Sequence, residues 1–219
     1  MFALYGIFNV SSVGALVYDR YDVQALLSHA EVITHATHVR STLLQTSLRM
    51  VKLHGNYERW LAHVDPLHRD TIVESVAPSW LPIEVGLAHY QACDQLALSD
   101  TELDRIGQSV GAQLQSTLLS VAANVVRSAG ATPEVVASCF GRLWPRLCQG
   151  GSLQLSKQGP KDLTIDLRAA VLSRSRYFRC TFVGNVRAGL NLLKLRALYI
   201  KMLPYDQKND HFTVNVSYV

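Results

Sequence analysis

Apolar residues recur every three or four positions up to residue 149 and alternate with polar ones after Gly150-Gly151, as in Ser152-Leu153-Gln154-Leu155-Ser156 and Leu163-Thr164-Ile165-Asp166-Leu167. A change of period from helical to extended across a double glycine marks a boundary between two kinds of structure, because glycine leaves a helix through a left-handed turn without strain. Residues 1 to 30 are read as an N-terminal arm, with a short strand at Leu16-Val17-Tyr18 and a short helix over 22–29. The spacing of Val32, Ala36, Val39, Leu43, Met50 and Leu53 predicts a helix that stops at His54-Gly55. Asn56 then caps a short helix through Trp60 and Val64, and Asp65-Pro66 opens another that reaches about Val76. Ala77 to Pro82 reads as a proline-stiffened turn with Trp80 as its core anchor, before a helix from Pro82 to Leu96. Ser99 and Glu102 form a capping box for a helix carrying Ile106, Val110 and Leu114 to near Gly130. Thr132-Pro133 opens a last helix of this part, running to about Leu147 with a break at Pro145.

Beyond residue 150 the pattern predicts strands over 153–158 and 163–167, joined by a turn at Gly159-Pro160. A helix from about Tyr177 to Ala197 follows, with Val186, Leu190, Leu193 and Ala197 inward. Strands over 198–203 and through Phe212, Val214, Val216 and Tyr218 complete the chain. The expected fold is α+β: an N-terminal helical layer (31–149) packed on a four-stranded antiparallel sheet of β-β-α-β-β order (150–219), the two making a single domain over 31–219.

Composition fits that reading. The chain of 219 residues is 48% hydrophobic and 17% charged, enough apolar material for one sizeable core. No apolar run approaches the roughly 18 to 20 residues of a membrane helix, and the start lacks a basic signal-peptide region. Four irregularly spaced cysteines, Cys93, Cys139, Cys148 and Cys180, read as buried free thiols of a cytoplasmic protein. The net charge of +4 is uneven: Gly150 to Lys201 carries ten cations against two acids, a local +8, and the remainder carries −4. Such a split suits docking of an acidic partner through the basic C-terminal half, or self-complementarity within the fold or a homodimer.

Candidate chemistry is sparse. The elbow Gly-x-Ser-x-Gly, the phosphate-binding P-loop and Gly-x-Gly-x-x-Gly are all missing, so no enzyme is expected. Glu31 and His35 are four apart and His35 and His38 three apart, so with His29 nearby they share part of one helical face and could hold a divalent metal; a solvated face is the plainer reading, and no metal site is assigned. Arg176 and Arg179 beside Cys180 would lower its thiol pKa if the side chains met, although a core thiol is simpler. The run Arg174 to Arg179 places Arg176, Tyr177 and Arg179 together, residue types that clamp an anion or stack on a planar ring. Arg187 and Lys194 would extend a polar face from it toward a protein partner. Trp144, Arg146 and Cys148, candidate ligand-binding residues, lie where the last helix of the first part meets the sheet. Aromatics are not interleaved with cations over a sheet face, so nucleic acid is not expected.

His38-Val39-Arg40-Ser41, Trp80-Leu81-Pro82, Leu143-Trp144-Pro145-Arg146-Leu147, Gly150-Gly151, Gln158-Gly159-Pro160-Lys161 and Gly184 together resemble an uncharacterised bacterial family abundant in myxobacteria, over residues 38–219. The two hairpins with an intervening helix also resemble the fold of the haem-nitric-oxide sensors and the vinyl-reductase ligand-binding domains. That resemblance implies a non-enzymatic sensory or regulatory module holding a small apolar or planar ligand between helices and sheet. It brings haem into view, yet no histidine lies between His89 and His211, and Ser173 to Tyr177 carries the propionate-binding residue types in the wrong order. Cys139 or Cys148 could offer a thiolate ligand, but small core residues are the simpler reading, so no cofactor is expected.

Overall fold

In a computed structural model, residues 34–118 and 140–219 are described, apart from the side chains of 114–118. The expected arm over 1–30, residues 31–33, Cys139, and the helix ends predicted between 119 and 139 lie outside them.

The chain first makes β1 (His38–Arg40), then α1 (Ser41–Leu53), α2 (Tyr57–His63) and α3 (Pro66–Glu74). The helix predicted from Val32 therefore begins only at Ser41. Ala36 and Val39 are buried as their spacing suggested, but from extended chain, where Ala36 donates to the Ala169 carbonyl and Thr37 to that of Gln149. Leu53, read as inward, is 68% exposed at the end of the helix. β2 (Trp80–Pro82) replaces the predicted turn, and it pairs with β1. Trp80 is only half-buried, because its ring lies under the Arg40 guanidinium at 4.1 Å instead of entering the core. Together with β3 (Cys148–Gln149), these strands form a small sheet of order β2-β1-β3.

α4 (Ile83–Asp94) and α5 (Asp100–Leu118) follow. The capping box holds at α5: the Ser99 backbone N–H donates to Glu102 at 2.8 Å, and the Glu102 N–H donates to the Ser99 hydroxyl at 3.3 Å. Pro145 sits in the first turn of a short α6 (Trp144–Leu147), where its missing N–H costs nothing.

Gly150 and Gly151 both take positive φ, +79° and +63°, and release the chain into β4 (Ser152–Gly159) and β5 (Asp162–Arg168). A 3-10 turn (Val171–Arg174) leads to α7 (Arg176–Leu192), and β6 (Ala197–Met202) and β7 (Phe212–Tyr218) close the chain. The second sheet is antiparallel with order β4-β5-β7-β6. Leu163, Ile165 and Leu167 of β5 and Phe212, Val214, Val216 and Tyr218 of β7 are buried, as the alternation requires.

α7 ends earlier than its spacing suggested. Lys194 adopts φ +60°, and the N–H groups of Lys194 and Leu195 bond back to the carbonyls of Asn191 and Leu190. That pattern terminates the helix with a lysine where glycine is usual, and it frees Ala197 to begin β6. α7 approaches α5 closely through Gly107, Gly111 and Gly184, and it reaches β7 where Phe182 meets Phe212 edge-on at 5.8 Å.

Candidate functional site

Helical geometry decides which residues of the basic run face inward. Successive residues point about 100° apart, so Phe178 and Phe182 share one side of α7, and Tyr177 turns to another. Phe178 and Phe182, with Val186 and Asn185, form one wall of a cavity of about 70 Å³. Phe140, Leu143, Trp144 and Leu147 form a second wall, and Leu43 of α1, Gly111 of α5 and Leu153 of β4 complete it. Among the described lining residues, Asn185 and the Trp144 indole carry the side-chain polar atoms, and the rest are hydrocarbon or aromatic. Trp144 is held in place because its indole N–H donates to the Gly150 carbonyl at 3.1 Å, tying the cavity wall to the glycine turn.

Of the ligand-binding residues expected from the sequence, Trp144 alone lines this cavity. Arg146 is exposed. Cys148 is buried in β3 and pairs with Val39, and burial pushes its thiol well up. Tyr177 is buried, its hydroxyl 3.3 Å from the Ser47 Oγ, and burial with the nearby Cys93 raises its pKa.

The arginines do not form an open clamp. Arg176 pairs with Asp100 and donates to the Leu98 carbonyl at 3.1 Å. Arg179 donates to the carbonyls of Ser173 and Arg174 at 2.6 and 3.1 Å, and its guanidinium lies 4.7 Å from the centre of the Tyr205 ring. Arg174 forks onto Asp210 with two bonds of 2.9 and 2.8 Å. Asp210 also accepts from the Tyr205 hydroxyl at 2.7 Å; burial would raise this carboxyl, but the Arg174 and Tyr205 bonds outweigh it and hold the pKa below the usual range. Arg187 reaches Asp104 at 3.3 Å, whereas Lys194 is exposed at the helix end. Arg174, Arg176 and Arg187 of the basic half are thus answered by acids of the same chain, among them Asp100 and Asp104 of α5. Cys180 departs from expectation as well: burial and Asp100 raise its thiol against the opposing pull of Arg176 and Arg179.

The histidine cluster is also dissolved. His38 lies in a strand and its neighbours are extended, so residues three apart do not share a face; His35 instead sits 3.7 Å from Asp210. Glu31 and His29 lie outside the described residues. Among the described residues, no group of histidine, cysteine and carboxylate side chains could hold a metal.

Sequence reasoning missed Phe178 and Phe182, although their spacing of four was a legible signal. It also missed a buried polar knot that joins three helices. The His89 Nε2 lies 2.9 Å from the Ser47 Oγ and 3.8 Å from the Cys93 Sγ, and its Nδ1 has no partner among the described residues. Burial pushes the His89 pKa down to about 3, so this imidazole is neutral in the folded protein.

The cavity does not fit a haem. Cofactor pockets span about 300 to 1,000 Å³, against about 70 Å³ here, and among the described residues no histidine, cysteine or methionine lines it. His89 is already engaged by Ser47 and does not border the cavity.

No protein-family model and no curated protein matches the chain, so the likeness to a myxobacterial family gains no support. Solved structures do match. An Fe(II) unliganded H-NOX protein from K. algicida, in a point-mutant form, gives a TM-score of 0.60 at 10% identity, covering 82% of this chain and 96% of that one. The same protein without the mutation gives 0.59 at 8% identity with the same coverage. A structure bearing on the modulation of haem redox potential through protein-induced porphyrin distortion gives 0.51 at 10% identity, covering 81% of this chain and 99% of that one. At these identities the likeness speaks for architecture and not for chemistry: the chain has an H-NOX-like fold.

Proposed function

We propose that this chain is a non-enzymatic sensory or regulatory module that holds a small apolar ligand between its helical layer and its larger sheet. The observation that carries the reading is the apolar cavity walled by Trp144, Leu153, Phe178 and Phe182, placed where helices meet strands in an H-NOX-like fold. At about 70 Å³ it is smaller than the roughly 150 Å³ cavity that admits benzene or xenon, so the occupant is a molecule of a few heavy atoms or the tip of a longer chain. Planarity is not required by these walls.

Signal transmission follows from one side chain. Phe182 borders the cavity and also packs on Phe212, so an occupant that displaces Phe182 loads β7 directly. A ligand shifts a conformational equilibrium only by its differential affinity for the two states, and the Phe182–Phe212 contact is where an occupant would create such a difference. The described lining residues include no nucleophile and no general base. Ser47 and His89 are paired like nucleophile and base, but both are buried away from the cavity. No described helix is long and apolar enough to cross a membrane. Three free, buried thiols, Cys93, Cys148 and Cys180, accord with a reducing, cytoplasmic setting.

Methyl-resolved NMR under xenon pressure tests the cavity. Leu43, Leu143, Leu147 and Leu153 methyls shift in a saturable way, and Leu153→Trp, which fills the space, abolishes the response. Native mass spectrometry of gently purified protein then looks for a retained organic molecule. Unresponsive methyls, or shifts that persist in the filled variant, refute the reading.

A further inference from the structure

Of the eight large hydrophobic residues exposed on the described chain, five fall in or beside β6 along the chain and its ladder: Leu192, Leu198, Tyr199, Met202 and Val219. They flank or belong to β6, which ends the larger sheet and pairs on one side only, with β7, among the described residues. Three exposed cations lie on the same strip, Lys194, Arg196 and Lys201, and none of them has an ion-pair partner among the described residues. This distinguishes them from Arg174, Arg176 and Arg187, whose charges are answered by Asp210, Asp100 and Asp104. An unpaired edge with exposed apolar side chains is a template for another strand unless it is blunted.

The hydrogen-bond register shows which backbone groups are on offer. Leu203 donates to the Thr213 carbonyl, and Met202 faces Val214 in the register. Bonded and non-bonded pairs alternate along an antiparallel ladder, so Ile200 and Met202 turn their N–H and C=O away from β7, toward the free edge. Across the ladder Ile200 and Met202 share a face with Val216 and Val214, whereas Tyr199 and Lys201 share the opposite face with Ser217 and Asn215. The edge therefore carries Ile200 and Met202 on one face and the Lys201 ammonium, beside Tyr199, on the other.

We propose that β6 is a docking edge for an extended peptide segment whose residues alternate apolar and acidic, added as a fifth strand. Main-chain bonds to Ile200 and Met202 would supply affinity. Apolar side chains of the partner would cover Met202 and Leu198, and its acids would meet Lys201 and the flanking Arg196 and Lys194. A second copy of this chain is the poorer occupant, because pairing β6 with itself gathers the cations of two copies with no acid between them. The expected acidic partner of the basic half is thereby moved from the α7 arginines to β6, and nothing in this inference depends on the cavity.

A fluorescein-labelled peptide of alternating Glu and Val, titrated into the full chain and followed by anisotropy, tests it. Saturable binding is expected, weakening as salt screens the charges, with no binding of the Lys-Val counterpart. Met202→Pro removes an outward N–H without touching the bonds to β7, and it should weaken binding about tenfold. Lys201→Glu should weaken it further while leaving the far-UV spectrum and thermal midpoint of the chain unchanged. Amide shifts confined to β6 and its flanks on peptide addition complete the support. Absence of saturable binding, equal binding of the Lys-Val peptide, or indifference to both variants overturns the proposal. So does a dimer of this chain that Met202→Pro dissolves and the acidic peptide fails to displace.

Discussion

The close approach of α5 and α7 gives a sharp test of why glycine stands at 107 and 184. A Cβ on Gly184 would lie 2.7 Å from the Gln108 backbone N and 2.8 Å from the Gly107 Cα, and it would overlap the Asp104 carbonyl oxygen. A Cβ on Gly107 would meet the Thr181 carbonyl group in the same way. These are backbone atoms, so no side-chain rotation relieves them, and α5 and α7 must separate. In an exposed helix Gly→Ala stabilises by about 1 kcal/mol. Forcing an atom into a packed contact costs about 3 kcal/mol at the upper end of the usual range. The expected net for Gly107→Ala is therefore a loss of about 2 kcal/mol, or roughly 4 to 8 °C in Tm for a domain of this size. Urea denaturation followed by circular dichroism measures it, with an unchanged m-value as the sign that both end states are preserved. Gly141→Ala is the internal control, because Gly141 is helical with nothing within 4 Å of its would-be Cβ and no positive φ, and it should be neutral or slightly stabilising. Gly107→Ala matching the wild type, or exceeding it as the control does, refutes the packing argument.

Three further outcomes are expected. His89 has a folded pKa near 3 against an ordinary 6.5, so its contribution to stability is complete above pH 6.5 and drains away as pH falls toward 3, with a slope of up to about 1.4 kcal/mol per pH unit; urea titrations across that window should show the slope, and a slope undiminished in His89→Gln would contradict its assignment to this residue. Lys194→Gly relieves a left-handed residue at the end of α7 and should raise stability by about 0.5 to 1 kcal/mol; a lower thermal midpoint would refute the strain. Trp144→Phe removes the indole bond to the Gly150 carbonyl and should cost about 1 kcal/mol while enlarging the xenon response of the cavity methyls; an unchanged response would separate Trp144 from the cavity wall.

What the sequence determined by itself was whatever its local chemistry enforces. The change of period at Gly150-Gly151, the capping box at Ser99, the proline opening at Asp65-Pro66 and the alternation of Phe212, Val214, Val216 and Tyr218 each rest on neighbours in the chain, and each is present in the structure. Tertiary structure alone decided what lies between distant segments. Three-residue strands such as β1 and β2 carry too little periodic signal to be read, and they exist because His38 to Arg40 meets Trp80 to Pro82 in register across the fold. The same distance hid the fate of the arginines: Arg176 and Arg187 find Asp100 and Asp104 some eighty residues earlier, so a run that looked like an open anion clamp became internal pairing. Phe178 and Phe182, and not Arg176 and Tyr177, face the cavity because the rotation of α7 is fixed by how closely Gly184 seats against Gly107, a contact between backbones that no spacing of side chains along the sequence records.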